Sequence, residues 1–284
     1  MALVNPKQMI IDAQKGGYAI AAFNVHNLET IQAVVRGAVK LNAPVMIATT
    51  PGTLRHAGIE NIAAMVRLAG ENNDIPIALH MDHCGDYEML ESCVKHGYTS
   101  LMIDASKLPY EENVALTRRV VELGHGADIC VESELGKIGG TEDDLTVDAR
   151  DAAMTVPEEA VDFVQKTGID TLAVAIGTAH GVYKGEPKLD YDRLDAIRKE
   201  VSIPLVLHGA SGVPSDSVQK AIGLGICKVN IATELKIPFA DAIKEVFKND
   251  PEANDPRTYM GAGRDAAQAM VEYKIKMCNS QNRA

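Results

Sequence analysis

The residues best equipped for chemistry close a short apolar run, Ile77-Ala78-Leu79-His80-Met81-Asp82-His83-Cys84. A continuous apolar stretch of that length reads as a strand buried on both faces. One that stops in Asp-His brings a proton carrier and a metal-capable nitrogen to the rim of its sheet. His83 is therefore a candidate ligand for a divalent metal, with Asp82 moving a proton beside it. A hydrogen-bonded Asp-His pair that only closes a strand would look the same locally, so the other strand ends decide. His180 and His208 follow two later apolar runs, and Glu134 follows another. Turn chemistry explains Asn and Asp at such places, but not three histidines and a glutamate. Three neutral imidazoles with an open position are a usual catalytic Zn2+ set. His80 stands one strand period before Asp82 and can orient it from the same interior. His26, His56, His96 and His125 read as solvated, and Cys84 as a packed thiol.

The elements that must position these side chains recur along the chain. Apolar runs at 18–23, 44–48, 75–81, 99–103, 129–133, 171–176, 204–207 and 226–229 are each followed by a helical pattern. Those patterns lie at 30–41, 59–69, 87–95, 110–123, 157–166, 190–200, 214–224 and 235–247. Eight strand–helix units are what an α/β chain needs to close a (β/α)8 TIM barrel. An open doubly wound sheet usually carries a Gly-rich fingerprint after its first strand, and Phe23-Asn24-Val25-His26-Asn27 has no glycine. The catalytic face of a barrel is the C-terminal end of its strands. The residues expected there are Asn24, Thr49 and Thr50, Asp82 and His83, Asp104, Glu134, His180, His208 and Asn230. Residues 255–284 add a helix at 264–277 outside the repeat, suited to oligomer contacts or to solvent. No linker interrupts the chain, so residues 1–284 are expected to form one domain.

A chain of 284 residues with 46% hydrophobic residues and no Trp can bury a large Val/Ile/Leu/Ala core. Its formal charge of −11 argues against wrapping nucleic acid or lying on an anionic membrane. Any phosphate site must then be local. The five cysteines form no Cys-x-x-Cys pair, which favours free thiols in a reducing compartment. Residues 1–8 lack a secretory pattern and no run is long enough to span a bilayer. The expected location is cytoplasmic.

Four open segments stand beside the candidate ligands. Residues 132–144 are rich in glycine and acid; glycines permit mobility, and Glu142 is placed to swing over a site. A solvated acidic loop accounts for Asp143 and Asp144. His208-Gly209-Ala210-Ser211-Gly212 and Asn230-Ile231-Ala232-Thr233 leave backbone N–H groups available, the customary phosphate cradle after the last two strands of a barrel. Gly177-Thr178-Ala179-His180-Gly181 is similarly open.

Taken together, several motifs resemble the class II, zinc-dependent ketose-bisphosphate aldolases over essentially the whole chain. They are Ala22-Phe23-Asn24, His80-x-Asp82-His83, Glu132-x-Glu134-Leu135-Gly136 with Gly139-Gly140, Gly181-Val182-Tyr183-Lys184, His208-Gly209-Ala210-Ser211-Gly212 and Lys228-Val229-Asn230. The length, Thr178-Ala179-His180 and Ala232-Thr233-Glu234-Leu235-Lys236 look most like the tagatose-bisphosphate branch. Longer fructose-bisphosphate aldolases tend to carry Asp where Ala232 stands. The resemblance implies that His83, His180 and His208 hold Zn2+, and that Asp104 and Glu134 hold a second or displaced metal. It implies that Asp82 protonates the aldehyde oxygen or, in cleavage, deprotonates the C4 hydroxyl. Glu142 is then the base at C3 of dihydroxyacetone phosphate. Gly181, Gly209, Ser211, Asn230 and Thr233 would bind that product, with Asn24, Thr50, Lys184, Ala210, Ile231 and Ala232 lining the same pocket. Backbone oxygens near Gly181 and Gly209 would hold a monovalent cation, Na+ or K+. Arg257 would reach the distal phosphate from a neighbouring subunit of a homodimer or homotetramer, and a non-catalytic partner subunit is also known in this branch.

The chemistry agrees with that implication. Breaking a C–C bond next to a ketone leaves negative charge on an enediolate, which a bound Zn2+ can bear as a Lewis acid. A Schiff-base lysine is the other common solution. No Lys ends the sixth strand, and Lys228 on the eighth shows no acid–base partner in the sequence. A metal-dependent hydrolase on the same barrel would commonly carry His-x-His on an early strand, and the first strand has none. A non-catalytic subunit would be expected to have lost Asp82 or a ligand histidine.

Overall fold

A computed structural model describes residues 2–142, 145–148, 152–181, 183, 185 and 187–284, with the side chains of Glu142, Leu145 and Thr146 outside that description. The chain opens with α1 (Lys7–Gly16), β1 (Ile20–Asn24), α2 (Leu28–Lys40), β2 (Val45–Thr49), α3 (Pro51–Ala57), α4 (Ile59–Glu71) and β3 (Ile77–Cys84). It continues through α5 (Tyr87–Lys95), β4 (Ser100–Ile103), α6 (Tyr110–Gly126), β5 (Cys130–Leu135), β6 (Gly139–Glu142), β7 (Leu145–Val147) and α7 (Pro157–Thr167). The last elements are β8 (Thr171–Val174), β9 (Ala179–His180), α8 (Tyr191–Glu200), β10 (Leu205–Leu207), α9 (Ser215–Gly223), β11 (Ile226–Ile231), α10 (Thr233–Asn249) and α11 (Pro256–Met277).

Eight parallel strands close a barrel in the ring order β1-β11-β10-β8-β5-β4-β3-β2. Closure rather than an open sheet follows from the β1–β11 pairing, in which Ile20 faces Lys228 and Phe23 faces Ile231. Side chains such as Val34, Leu79, Leu101, Val131, Leu172 and Val229 form the buried layer between barrel and helices. Inside the barrel, Ile20, Ala22, Met46 and Ala78 pack against Met9, Ile10 and Ala13 of α1. This helix closes the N-terminal end, and burying Ile10 alone contributes about 1.5–3 kcal/mol. Lys7 pins it there, 2.7 Å from the buried Asp170 carboxylate at the start of β8.

Several elements differ from the periodicity reading. Neither α1 nor α3 was expected: α1 precedes the first apolar run, and α3 is only 7 residues long, between β2 and α4. The C-terminal helix begins at Pro256 rather than 264, since the Asp255 side chain accepts from Arg257 N at 2.9 Å and starts it early. The Gly-rich segment after β5 is not a plain loop: β6 pairs antiparallel with β7 and parallel with β9. Glycine hides strand character because it packs no side chain of its own. Among the described residues no helix is long and apolar enough to cross a membrane.

Candidate active site

Asp82 and His83 are neighbours, and in a regular strand they would point to opposite faces. A bulge removes that conflict. Along β3, Met81 faces Leu101 and Cys84 faces Ile103, so three steps on β3 oppose two on β4. The extra step is taken at His83, which sits in the left-handed region at φ 47°, a conformation that costs a non-glycine residue about 1–2 kcal/mol. Both side chains consequently face the mouth of the barrel.

Three imidazoles converge there. His83 Nε2 lies 2.9 Å from His208 Nδ1, and the ring centroids of His83 and His180 are 4.9 Å apart. One nitrogen from each of His83, His180 and His208 lies within 4.8 Å of the others. On two of the rings the other nitrogen is fixed by its partner. His83 Nδ1 meets Asp104 Oδ2 at 2.9 Å, and His208 Nε2 meets Glu132 Oε1 at 2.9 Å. Carboxylates only accept, so each of these nitrogens carries the proton and the opposite nitrogen presents a lone pair. Burial, reinforced by the nearby His83 charge, lowers the His180 imidazole to about 3 and drives His208 well below the ordinary range. His180 and His208 are held in the neutral form that a metal takes. A donor set of three neutral imidazoles fits zinc.

A second cluster shares His83. One donor atom from each of His83, Asp104 and Glu134 again lies within 4.8 Å of the others. Burial alone would raise the Asp104 carboxyl, but the His83 contact and the Ser106 hydrogen bonds hold it well below the usual range. Glu134 goes the other way, pushed up to about 8 by burial and the Asp104 charge. Its Oε2 has no hydrogen-bond partner among the described residues.

Asp82 is fully buried and gripped on both oxygens. Asn24 Nδ2 donates to Oδ2 at 2.8 Å and Asn230 Nδ2 to Oδ1 at 2.9 Å. Burial would raise this carboxyl, yet the adjacent His83 and Lys228 side chains and the Asn24 bond hold it below its ordinary value. An ionised carboxylate beside three metal-competent nitrogens can take a proton from a hydroxyl and return it. The amide oxygens of Asn24 and Asn230 are buried without partners among the described residues.

Comparison with known proteins matches residues 4–283 to the family model described as class II fructose-bisphosphate aldolase. The chain belongs to the class II aldolase family. It is 50% identical over 281 residues, 99% of both chains, to a protein of Klebsiella oxytoca named D-tagatose-1,6-bisphosphate aldolase subunit GatY. Among solved structures, the YdjI aldolase of Escherichia coli K12 superposes with a TM-score of 0.88 at 34% identity, covering 99% of each chain. A fructose-bisphosphate aldolase of Campylobacter jejuni, at 24% identity and a TM-score of 0.85 over 100% of this chain and 97% of its own, shares the fold. The chain is thus an aldehyde-lyase, and aldolases of this class depend in general on zinc.

The other expected site residues of the aldolase fall into distinct environments. Gly209 (φ 65°) packs its α-carbon against the Ala179 backbone, where a Cβ would meet the carbonyl carbon at 2.8 Å. Gly140 (φ 100°) does the same on the other side, where a Cβ would meet His180 N at 2.7 Å. Two glycines from two segments therefore clamp the backbone that carries a candidate ligand. Gly181 (φ 89°) faces Thr141. Ala210, Ser211 and Ala232 are buried around the same mouth, and Thr233 opens α10. Thr50 caps α3, its hydroxyl accepting from Thr53 N at 3.3 Å. Ile231 turns its side chain into the outer core, which leaves only its backbone for a ligand. The side chain of Glu142 and all of Lys184 lie outside the described residues. Arg257 is not brought to the mouth of its own barrel. It is 91% exposed, paired with Asp255 at 2.7 Å, and separated from Ala232 by the 17 residues of α10, a helix about 25 Å long.

Two features went unread in the sequence. Tyr183 accepts from Ala179 N at 2.6 Å and donates to the Gly209 carbonyl at 2.7 Å, tying β9 to the turn after β10. Lys228, expected to have no acid–base partner, has two: its Nζ lies 2.9 Å from both Glu132 oxygens and 3.2 Å from His80 Nε2. The strand period could have found them, since Glu132 precedes Glu134, and Lys228 precedes Asn230, by two residues. An ammonium so engaged in the barrel interior is not placed to attack a carbonyl, which strengthens the case against the lysine route on different grounds.

Proposed function

We propose that the aldolase cleaves D-tagatose 1,6-bisphosphate reversibly to dihydroxyacetone phosphate and glyceraldehyde 3-phosphate. The observation that carries the sugar assignment is the 50% identity over 99% of both chains to a named tagatose-bisphosphate aldolase subunit. Fructose 1,6-bisphosphate is the second reading, favoured by the description of the matched family model; another phosphorylated ketose is the third.

In this reading His83 through Nε2, His208 through Nδ1 and His180 hold the zinc, which supplies Lewis-acid stabilisation of the charge left beside the ketone. Asp82 takes the C4 hydroxyl proton during cleavage and delivers it to the aldehyde oxygen during condensation, kept in place by Asn24 and Asn230. Glu142, carried on β6, serves C3 of dihydroxyacetone phosphate. Asp104 and Glu134 offer a second metal position around the Nδ1 side of His83. The phosphate of dihydroxyacetone phosphate lies against Gly181, Gly209, Ala210, Ser211 and the segment Asn230-Ile231-Ala232-Thr233. The start of α10 contributes free N–H groups and the positive end of its dipole there. Thr50 and Lys184 complete the pocket, and backbone oxygens near Gly181 and Gly209 hold Na+ or K+. Arg257 takes the distal phosphate in a neighbouring subunit of a homodimer or homotetramer. The whole chain works as one catalytic domain in the cytoplasm, and the word "subunit" in the relative's name supports a non-catalytic partner. These local cations reconcile a bisphosphate substrate with a chain of net charge −11.

A coupled assay for triose phosphate release, run on tagatose and fructose 1,6-bisphosphates with and without a chelator, tests the proposal. The expected result is cleavage that prefers the tagatose ester and disappears on chelation. Preference for the fructose ester would move the assignment to the second reading. Undiminished activity after stripping divalent ions would overturn the zinc chemistry.

A further inference from the structure

We propose that Lys228 is a positioning residue that sets the polarity of two hydrogen-bond chains in the barrel interior, one reaching His208 through Glu132 and the other running through His80, beside Asp82. The inference rests on the reading of His83, His180 and His208 as zinc ligands and adds to it the residues that hold the donor set in order. Lys228, Glu132, His80 and His208 are all buried, with at most 1% of any of them exposed. Lys228 Nζ sits 2.9 Å from both oxygens of Glu132, and Thr171 Oγ1 adds a donor to Oε2 at 3.2 Å. Glu132 Oε1 also takes His208 Nε2 at 2.9 Å.

The donor inventory leaves little choice of tautomer along this path. An ammonium has no lone pair and a carboxylate no proton. His208 Nε2 must therefore donate, and Nδ1 is left as the lone-pair nitrogen facing His83. On the other branch His80 Nε2 must accept from Lys228 at 3.2 Å, so its proton sits on Nδ1, 2.8 Å from Ser100 Oγ. That acceptor nitrogen stands 3.8 Å from Asp82 Oδ1. With Lys228 in place it has no proton to offer Asp82, which stays committed to Asn24 and Asn230. Without Lys228 the His80 ring is free to take the opposite tautomer and donate to Asp82. Glu132 would lose the partner that holds both its oxygens in place opposite His208 Nε2. One cation thus orients a candidate metal ligand and the candidate proton carrier, although it touches neither.

The test measures zinc affinity by competition with a chromogenic chelator, on parent protein, Glu132→Gln, Lys228→Met and the double variant. Urea unfolding of each metal-free protein is recorded alongside. Glu132→Gln keeps an acceptor oxygen and the side-chain shape but removes the charge. Lys228→Met alone leaves a buried carboxylate unpaired and is the variant most exposed to misfolding; the double variant removes both charges together. We expect zinc affinity to fall by about 10–100-fold in the folded variants. The absorption band of the cobalt-substituted proteins should shift, and at saturating zinc the loss should fall on kcat, with KM for the bisphosphate staying within about threefold. Zinc affinity within about threefold of the parent in folded Glu132→Gln or in the double variant, with an unchanged cobalt spectrum, overturns the inference. A parent protein that binds no zinc would instead overturn the metal reading beneath it.

Discussion

Asp82 is held as an ionised carboxylate by two asparagine amides and the Lys228 charge, so its role can be separated from metal binding. Asp82→Ala should lower turnover by about 10²–10⁴-fold, the usual loss for a general acid–base group, while zinc content per chain stays at the parent value. Steady-state kinetics with metal analysis would show this, and near-parental turnover would remove Asp82 from the role. His208→Ala has the opposite signature. It deletes a lone pair from the convergent trio, so the purified protein should lack zinc; full occupancy in that variant would mean that His208 is no ligand. His80 yields a pH effect that can be read on the metal-free protein. Burial, with the Lys228 charge beside it, holds its folded value well below 6.5. Above about pH 6.5 neither the folded nor the unfolded chain protonates it, and stability owes it no slope. Below that pH the unfolded chain binds a proton that the folded chain refuses, so stability falls with falling pH by up to about 1.4 kcal/mol per unit. Urea unfolding of parent and His80→Asn, from about pH 8 to about pH 5.5, should show the difference shifting against the parent only in the acidic half. A difference that stays constant throughout would refute it.

At the scale of elements, the site depends on a small sheet outside the barrel. β9 carries His180 and pairs with β6, in the register Gly140 to His180. Gly140→Ala would drive a methyl group into the His180 backbone at a φ of 100°, so the segment must shift. A shift of that kind should cost tenfold or more in zinc affinity, about 1.4 kcal/mol, without unfolding the barrel. Gly126→Ala at the end of α6, where a Cβ meets nothing within 4 Å, is the matched control. Equal zinc affinity in both variants would show that β6 does not place His180. The bulge in β3 belongs to the same scale. A strand that stayed regular through residue 83 would turn either Asp82 or His83 away from the mouth.

At the scale of the molecule, the long α10–α11 hairpin carries Arg257 away from its own barrel. Only Leu235 of α10 is buried, while Ile237 and Phe247 are 46% and 38% exposed. α11 packs back on α10 and α2. If Arg257 serves a neighbour, Arg257→Ala should raise KM for a bisphosphate by about 10–100-fold, the loss of one charged hydrogen bond. Mixing it with Asp82→Ala protein under subunit exchange should then restore a fraction of parental activity. No recovery from a mixture shown to exchange subunits would place Arg257 outside the neighbour's site. What the sequence determined by itself was whatever is local or periodic. Eight apolar runs alternating with helical patterns implied the barrel, and the acids, amides and imidazoles at their C-terminal ends implied one polar face. Motif spacing was sufficient for the family. The tertiary structure alone decided which of those groups meet, because contacts such as His83 to His208 and Lys228 to Glu132 join residues 125 and 96 positions apart. It also decided their direction: the bulge at His83 and the glycine clamp on His180 are backbone conformations imposed by neighbouring strands, and no local pattern of residue types encodes them.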